Sequence, residues 1–401
     1  MRILFIPCAG GVVAHLLPLM ALEARLDRSR HQAAFLVPLY LHELLRSQGL
    51  NVLDIDYRRE QAFRNEMLAC GRFRPDIIVD DLSLTALLTT KVFKRPRLTI
   101  RRTGTFPGGI PRHHTYRHSY HGEEFLFDTY YRDSERTFGI RAPKNLTEVC
   151  AADMNIVPGI RSIEVLPTAL RDDPTYAFAG SLIVPDSQVP TREDRLQQVI
   201  QFFDRNQRRA VVYLTLGTTL NPTDQIREIA QCVLDSGFAL ISTVDLPDLV
   251  PAYREVFFYA RFLPMDAVCS NVRLMIHHCG CGTYHYAIRH RVPSICIGSG
   301  CYDRDDIAYR LDELGIAKYI PQDELALLKT FQATFLNCVD SAGQWYRTAK
   351  QSLELLRDED ERTSAAFDFE GALEKALSLN SRDVPSTSPS SNRLGKARAG
   401  R

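Results

Sequence analysis

The sequence lacks an excess of charge of either sign: 49 Lys and Arg stand against 48 Asp and Glu, a formal net charge of +1. That balance excludes the broad basic surface on which nucleic-acid or anionic-membrane binding rests. No window approaches the roughly 20 consecutive apolar residues that a membrane helix needs. The start, Met1-Arg2-Ile3-Leu4-Phe5-Ile6-Pro7, holds only a very short apolar run with no small-residue cleavage site after it, so it reads as a first strand. The expectation is a cytoplasmic protein with no membrane span and no nucleic-acid partner. No secretory signal accompanies the ten cysteines, which are therefore expected as buried thiols and not as a disulfide framework.

At 401 residues, 45% of them hydrophobic, the chain exceeds what one core usually serves. Two domains with a cleft between them are expected, which favours an enzyme. Short apolar runs alternate with segments of helical period, the pattern of parallel strands joined by crossover helices. In the first half the strands are Ile3 to Ile6, Ala33 to Val37, Asp76 to Val79 and Arg97 to Ile100, with helices from Leu16 to Leu26 and from Leu41 to Gln48. The second half repeats the style with strands at Ala210 to Leu216, Phe238 to Thr243, Leu274 to His277 and Ser294 to Ile297. The fold class is α/β, with a Rossmann-like domain over 1–175, a linker and start of the second domain over 176–208, and a second Rossmann-like domain over 209–380. The Ser/Pro/Arg-rich tail over 381–401 is expected to be disordered.

The segment His277-His278-Cys279-Gly280-Cys281-Gly282-Thr283 follows a strand and opens a helix. Glycines there let a ligand approach the backbone, and free N–H groups at a helix start attract phosphate oxygens. His278 and Thr283 add donors, and a diphosphate is the natural guest. A zinc site from His277, His278, Cys279 and Cys281 is the rival, but adjacent residues do not readily wrap four ligands around one ion; no metal is expected. A second strand-to-helix loop, Thr215 to Pro222, offers Thr218 to the other side of the same diphosphate. Asp303 and Arg304 follow the strand at Ser294 to Ile297, where sugar hydroxyls would be met. In the first half His15 comes just after the first strand, and a neutral imidazole there can take a proton from an acceptor hydroxyl. Asp80 ends another strand on the same edge and is assigned to orient that ring. Arg101, Arg102, His113 and His114 lie in an irregular segment from Arg101 to Asn145 and suggest a polar or anionic acceptor.

These residues resemble the nucleotide-sugar glycosyltransferases of family 1, which have two facing Rossmann-like domains, the GT-B fold. His278-Cys279-Gly280-Cys281-Gly282-Thr283 is similar to that family's His-x-Gly-x-Gly-Thr donor signature, and the continuation through His285 resembles the bacterial antibiotic-modifying branch. His15-Leu16-Leu17-Pro18 is similar to the family's His-x-x-Pro, whose His is the catalytic base, and Asp303-Arg304 lies where the family commonly has Asp-Gln. The resemblance spans residues 1 to about 318, and implies donor sugar or ribose contacts at His285, Asp303 and Arg304. Ala14, Tyr286 and Arg304 depart from the family's usual residues. What it implies is an inverting transferase of natural-product metabolism. Its donor would be a UDP- or dTDP-sugar, its acceptor a hydroxyl or amine of a small molecule, with no cofactor beyond that co-substrate. The alternatives are a nucleotide-sugar 2-epimerase and a catalytically silent, transferase-like partner protein.

Overall fold

The protein is described by a computed structural model over residues 1–8, 12–109, 131–186, 193–216, 224–321 and 328–382. The first half builds β1 (Arg2–Pro7), α1 (Val12–Glu23), β2 (Gln32–Phe35), α2 (Ala62–Phe73), β3 (Ile77–Asp81), α3 (Ala86–Phe93), β4 (Arg97–Ile100), β5 (Met154–Val157) and β6 (Tyr176–Phe178). Its strands form one sheet in the order β2-β1-β3-β4-β5-β6, parallel throughout. Strand alternation sorts the side chains. Ile3, Phe5, Ile77 and Val79 join Leu16, Leu19 and Met20 of α1 on one face. Leu4, Ile6 and Ile78 meet Ala69 and Cys70 of α2 on the other. Strands buried on both faces read as nearly continuous apolar runs, which is why they are visible in the sequence.

The second half contributes α4 (Glu193–Arg205), β7 (Val211–Thr215), α5 (Asp224–Asp235), β8 (Ala239–Ser242), β9 (Phe257–Tyr259), β10 (Leu274–His277), α6 (Cys281–Arg289), β11 (Ser294–Ile297), α7 (Tyr302–Glu313) and β12 (Ala317–Ile320). Its sheet order is β12-β11-β10-β7-β8-β9, again all parallel. The fold class is therefore the expected one, α/β with two doubly wound sheets. Four strands, β5, β6, β9 and β12, were not anticipated, and β6 falls at the front of the stretch read as a linker. They are three or four residues long.

Among the described residues three helices follow: α8 (Leu328–Val339), α9 (Gln344–Ala366) and α10 (Phe369–Arg382). The last returns to the first half, where Phe369, Ala372, Leu373 and Ala376 join the core of the first sheet. Gly180 makes that return possible. It has φ +66°, and a Cβ on it would lie 2.0 Å from Ser364 Oγ and 2.9 Å from the Ser364 nitrogen. Side chains also tie the halves together. Ser162 donates from its hydroxyl to Glu359, Arg310 Nε donates to the Ser162 carbonyl, and Tyr286 donates to the Val184 carbonyl.

Candidate active site

Strand order reverses once in each sheet, between β1 and β3 in the first and between β7 and β10 in the second. Open α/β sheets bind ligands outside the carboxyl ends of their strands at such points. The strand ends there are Pro7, Asp81, Thr215 and His277. A cavity of about 280 Å³ opens at that place and is lined from both halves. His15, Pro18 and Arg102 face it from the first half, and His278, Gly282 and Arg304 from the second. Pro18 has no N–H to offer the Ala14 carbonyl one turn back, and both residues lie on the cavity wall.

His15 does not pair with Asp80. Its Nδ1 lies 2.9 Å from Asp81 Oδ1. The reason is strand parity: Asp81 shares the face of Ile77 and Val79, against which α1 packs, whereas Asp80 points to the opposite face. There Asp80 is fully buried and takes a two-pronged ion pair from Arg97, Nε at 2.7 Å and Nη2 at 2.9 Å. Arg97 also donates to the Val149 and Ala151 carbonyls. Burial disfavours the Arg97 charge, but the Asp80 carboxylate outweighs it and raises the guanidinium above its ordinary value. Asp81 is likewise buried, which alone would raise its carboxyl, yet Arg102 and then His15 hold it below the ordinary carboxylate range. Arg102 grips both Asp81 oxygens, at 2.6 and 2.5 Å, and places Nη1 3.0 Å from His15 Nδ1.

The loop after β10 delivers the second wall. Gly280 caps α6 in ordinary extended geometry, φ −57°, so the left-handed backbone falls instead on Cys279, φ +57°. A Cβ on Gly280 would come within 3.4–3.5 Å of the His278 ring and 3.9 Å of Thr283 Oγ1, so the missing side chain leaves those two polar groups open beside it. A Cβ on Gly282 would meet nothing within 4 Å. The N–H groups of Thr283 and Tyr284 donate to the Gly280 carbonyl, at 2.9 and 3.2 Å, which leaves those of Cys281 and Gly282 without an acceptor in the helix, so its start is an anion site. Burial, with Arg304 and His277 nearby, drives the His278 imidazole well below its ordinary value and keeps it neutral. Asp303 and Arg304 also line the cavity; Asp303 Oδ1 is buried without a hydrogen-bond partner, and Arg304 has no carboxylate partner among the described residues.

Further expectations need correction or lie elsewhere. Arg101 does not reach the cavity: it is buried among carbonyls of Thr105, Thr147 and Cys150, so it braces the irregular segment. His285 is turned behind the cavity, buried, with Nδ1 3.9 Å from Cys281 Sγ, and burial brings its ring down to about 3. Thr218, His113 and His114 lie outside the described residues. The zinc rival takes a different form. His277, Cys279 and Cys296 each bring one ligand atom within 4.8 Å of the others, away from the cavity. His277 Nδ1 already accepts from the Cys279 N–H at 3.0 Å, and the set is one ligand short of a closed structural zinc site.

Sequence reasoning missed Asp81 and Glu164. Strand parity against the apolar face of β3 would have selected Asp81. Glu164 is buried and joins the halves, accepting from Thr103 Oγ1 at 2.5 Å and from Tyr284 of α6 at 2.8 Å. It sits in an aperiodic stretch and carries no signal in sequence.

No known family model matches the chain. By sequence, it is 26% identical over 271 residues to 3-alpha-mycarosylerythronolide B desosaminyl transferase of Saccharopolyspora erythraea, a match covering 64% of this chain and 59% of that protein. By structure, it superimposes on glycosyltransferase VinC, solved in complex with dTDP, with TM-score 0.67, 16% identity and coverage of 95% of this chain and 100% of the other. Spinosyn rhamnosyltransferase SpnG, solved with spinosyn aglycone, gives 0.62 at 17% identity, covering 93% and 100%. The fold is thus that of the GT-B glycosyltransferases, and the relatives by sequence include a desosaminyl transferase.

Proposed function

We propose that this chain is an inverting glycosyltransferase that moves a sugar from a nucleoside-diphosphate donor to a hydroxyl, or an amine, of a small-molecule acceptor in natural-product biosynthesis. The observation that carries this reading is one cavity lined by both His15 and the His278–Thr283 loop. The second half, 209–380, takes the donor; the first, 1–175, takes the acceptor. The relatives named above are transferases, which favours transfer over 2-epimerisation. VinC binds dTDP and SpnG binds an aglycone, which supports a nucleotide donor and a small organic acceptor.

In this reading the diphosphate rests on the free N–H groups of α6, with His278 and Thr283 donating to its oxygens. His15 Nε2 takes the proton of the acceptor hydroxyl while Nδ1–H donates to Asp81, whose charge stabilises the imidazolium. The acceptor oxygen bonds to the anomeric carbon as the bond from that carbon to the diphosphate oxygen breaks, and the electron pair leaves with the diphosphate. One displacement inverts the centre. Charge gathering on the leaving group meets donors already in place, which is the larger electrostatic contribution. Asp303 and Arg304 face the sugar. The reading needs no cofactor beyond the co-substrate, and the protein works in the cytoplasm.

The test is release of diphosphate from UDP- and dTDP-sugars across a panel of hydroxylated acceptors. Turnover that requires acceptor is expected, and His15→Ala is expected to cut it by about 10²–10⁴-fold while diphosphate binding persists. Donor consumption without acceptor would favour the epimerase. Diphosphate binding with no turnover on any acceptor would favour a silent partner.

A further inference from the structure

His15 Nδ1 faces two neighbours whose demands conflict. Asp81 Oδ1, at 2.9 Å, is an acceptor, so Nδ1 must carry a hydrogen to meet it. Arg102 Nη1, at 3.0 Å, is a donor, so Nδ1 must offer a lone pair. A neutral imidazole nitrogen does one or the other. If Nδ1 donates, the lone pair lies on Nε2 and the ring can act as a base; if Nδ1 accepts, Nε2 carries the hydrogen and the ring cannot. Arg102 pairs with both Asp81 oxygens, so the carboxylate keeps its counter-charge when Nδ1 turns acceptor.

Arg102 also touches the other side of the site. It hydrogen-bonds the sulfur of Cys281, the first residue of α6, and lines the cavity beside Gly282. Its Nε is buried without a hydrogen-bond partner, so the guanidinium has donor capacity unspent in this arrangement.

Resting on the reading that the start of α6 holds a diphosphate, we propose that Arg102 is a donor-operated gate on the base. Without diphosphate, Arg102 donates to His15 Nδ1 and holds the Nε2–H tautomer, which takes no proton. A bound diphosphate draws the Nη1 hydrogen toward a phosphate oxygen. His15 then takes a proton from cavity water at Nδ1, gives its Nε2 proton back to that water, and hydrogen-bonds Asp81 through Nδ1–H. The net proton count is unchanged, no electrons move, and the Nε2 lone pair now faces the acceptor. The base is armed only when the leaving group is in place.

The experiment uses the full chain with ring-¹⁵N-labelled histidine, His15 assigned by its loss in His15→Gln, with UDP and dTDP as probes and their binding read separately by thermal shift. The expected result is a switch of His15 from Nε2–H to Nδ1–H on saturation with diphosphate, and Nδ1–H in both states of Arg102→Met. A wild-type protein that binds diphosphate and keeps one His15 tautomer throughout overturns the gate while leaving the donor site standing. Failure to bind either diphosphate overturns the donor site, and the gate with it. The wild-type comparison needs no variant to fold. Arg102→Lys, which keeps the charge without the two-pronged grip, is expected to lose the switch if Arg102→Met is too unstable to measure.

Discussion

Successive side chains of a strand point to opposite faces, so Asp80 and Asp81 have separate tasks although they are neighbours in β3. Asp80 compensates a buried guanidinium. Asp80→Asn leaves Arg97 without its counter-charge and is expected to cost about 3–5 kcal/mol of stability, read as a lower urea midpoint, with diphosphate affinity of the folded fraction unchanged. Gly282 tests the other wall. A methyl there meets nothing within 4 Å, and alanine is better than glycine in a helix by up to about 1 kcal/mol. Gly282→Ala should keep or raise the melting temperature and weaken UDP or dTDP binding by roughly tenfold, about 1.4 kcal/mol, by titration calorimetry. Unchanged affinity would place the phosphates elsewhere. At this scale the donor loop was legible because a strand, two glycines and a helix start follow one another in sequence. The partner of His15 was not, because choosing between adjacent carboxylates needs the face on which α1 packs. Arg102 was seen as a cation, but not as the grip on Asp81, since that contact joins residues far apart in the chain.

Among the elements, the four strands around each switch point were readable, whereas β5 and β6 in the first sheet and β9 and β12 in the second were not. β6 and β9 have three residues each, and β6 is only half buried, so neither an apolar run nor an alternation marks it. The junction after β6 depends on Gly180 for two reasons that can be separated. Its φ of +66° is costly for any side chain, and Ser364 occupies the place of a Cβ. Gly49 shares the first feature, φ +75°, without the second, for nothing lies within 4 Å of its Cβ position. Gly49→Ala should therefore cost only the backbone penalty, roughly 1–2 kcal/mol. Gly180→Ala should cost clearly more, since α9 must move. Equal losses in urea unfolding would mean that the contact with Ser364 yields freely.

For the molecule as a whole, acid should act first through histidine. Burial brings the His277 and His285 rings down to about 3 and drives His278 well below 6.5. The unfolded chain binds protons at these sites near pH 6.5 while the native chain does not. Their contribution to stability is complete above that pH and is lost as pH falls below it, with a slope approaching about 1.4 kcal/mol per pH unit for each ring. Burial raises Glu66 and Glu164, so the native state takes up protons there early and opposes the loss in the carboxylate range. Urea unfolding at about pH 7.5 and about pH 5.5 should show a fall of several kcal/mol, and a flat profile would mean that these rings are not held neutral. The return of α10 to the first sheet has a consequence for anyone recombining this chain with a relative. A crossover placed in the segment after β6 would exchange the two sheets, but it would leave Phe369, Leu373 and Ala376 of one parent filling the core of the other. A chimaera that respects the packing takes its first half from two separate stretches of one parent gene, the beginning and the last helix.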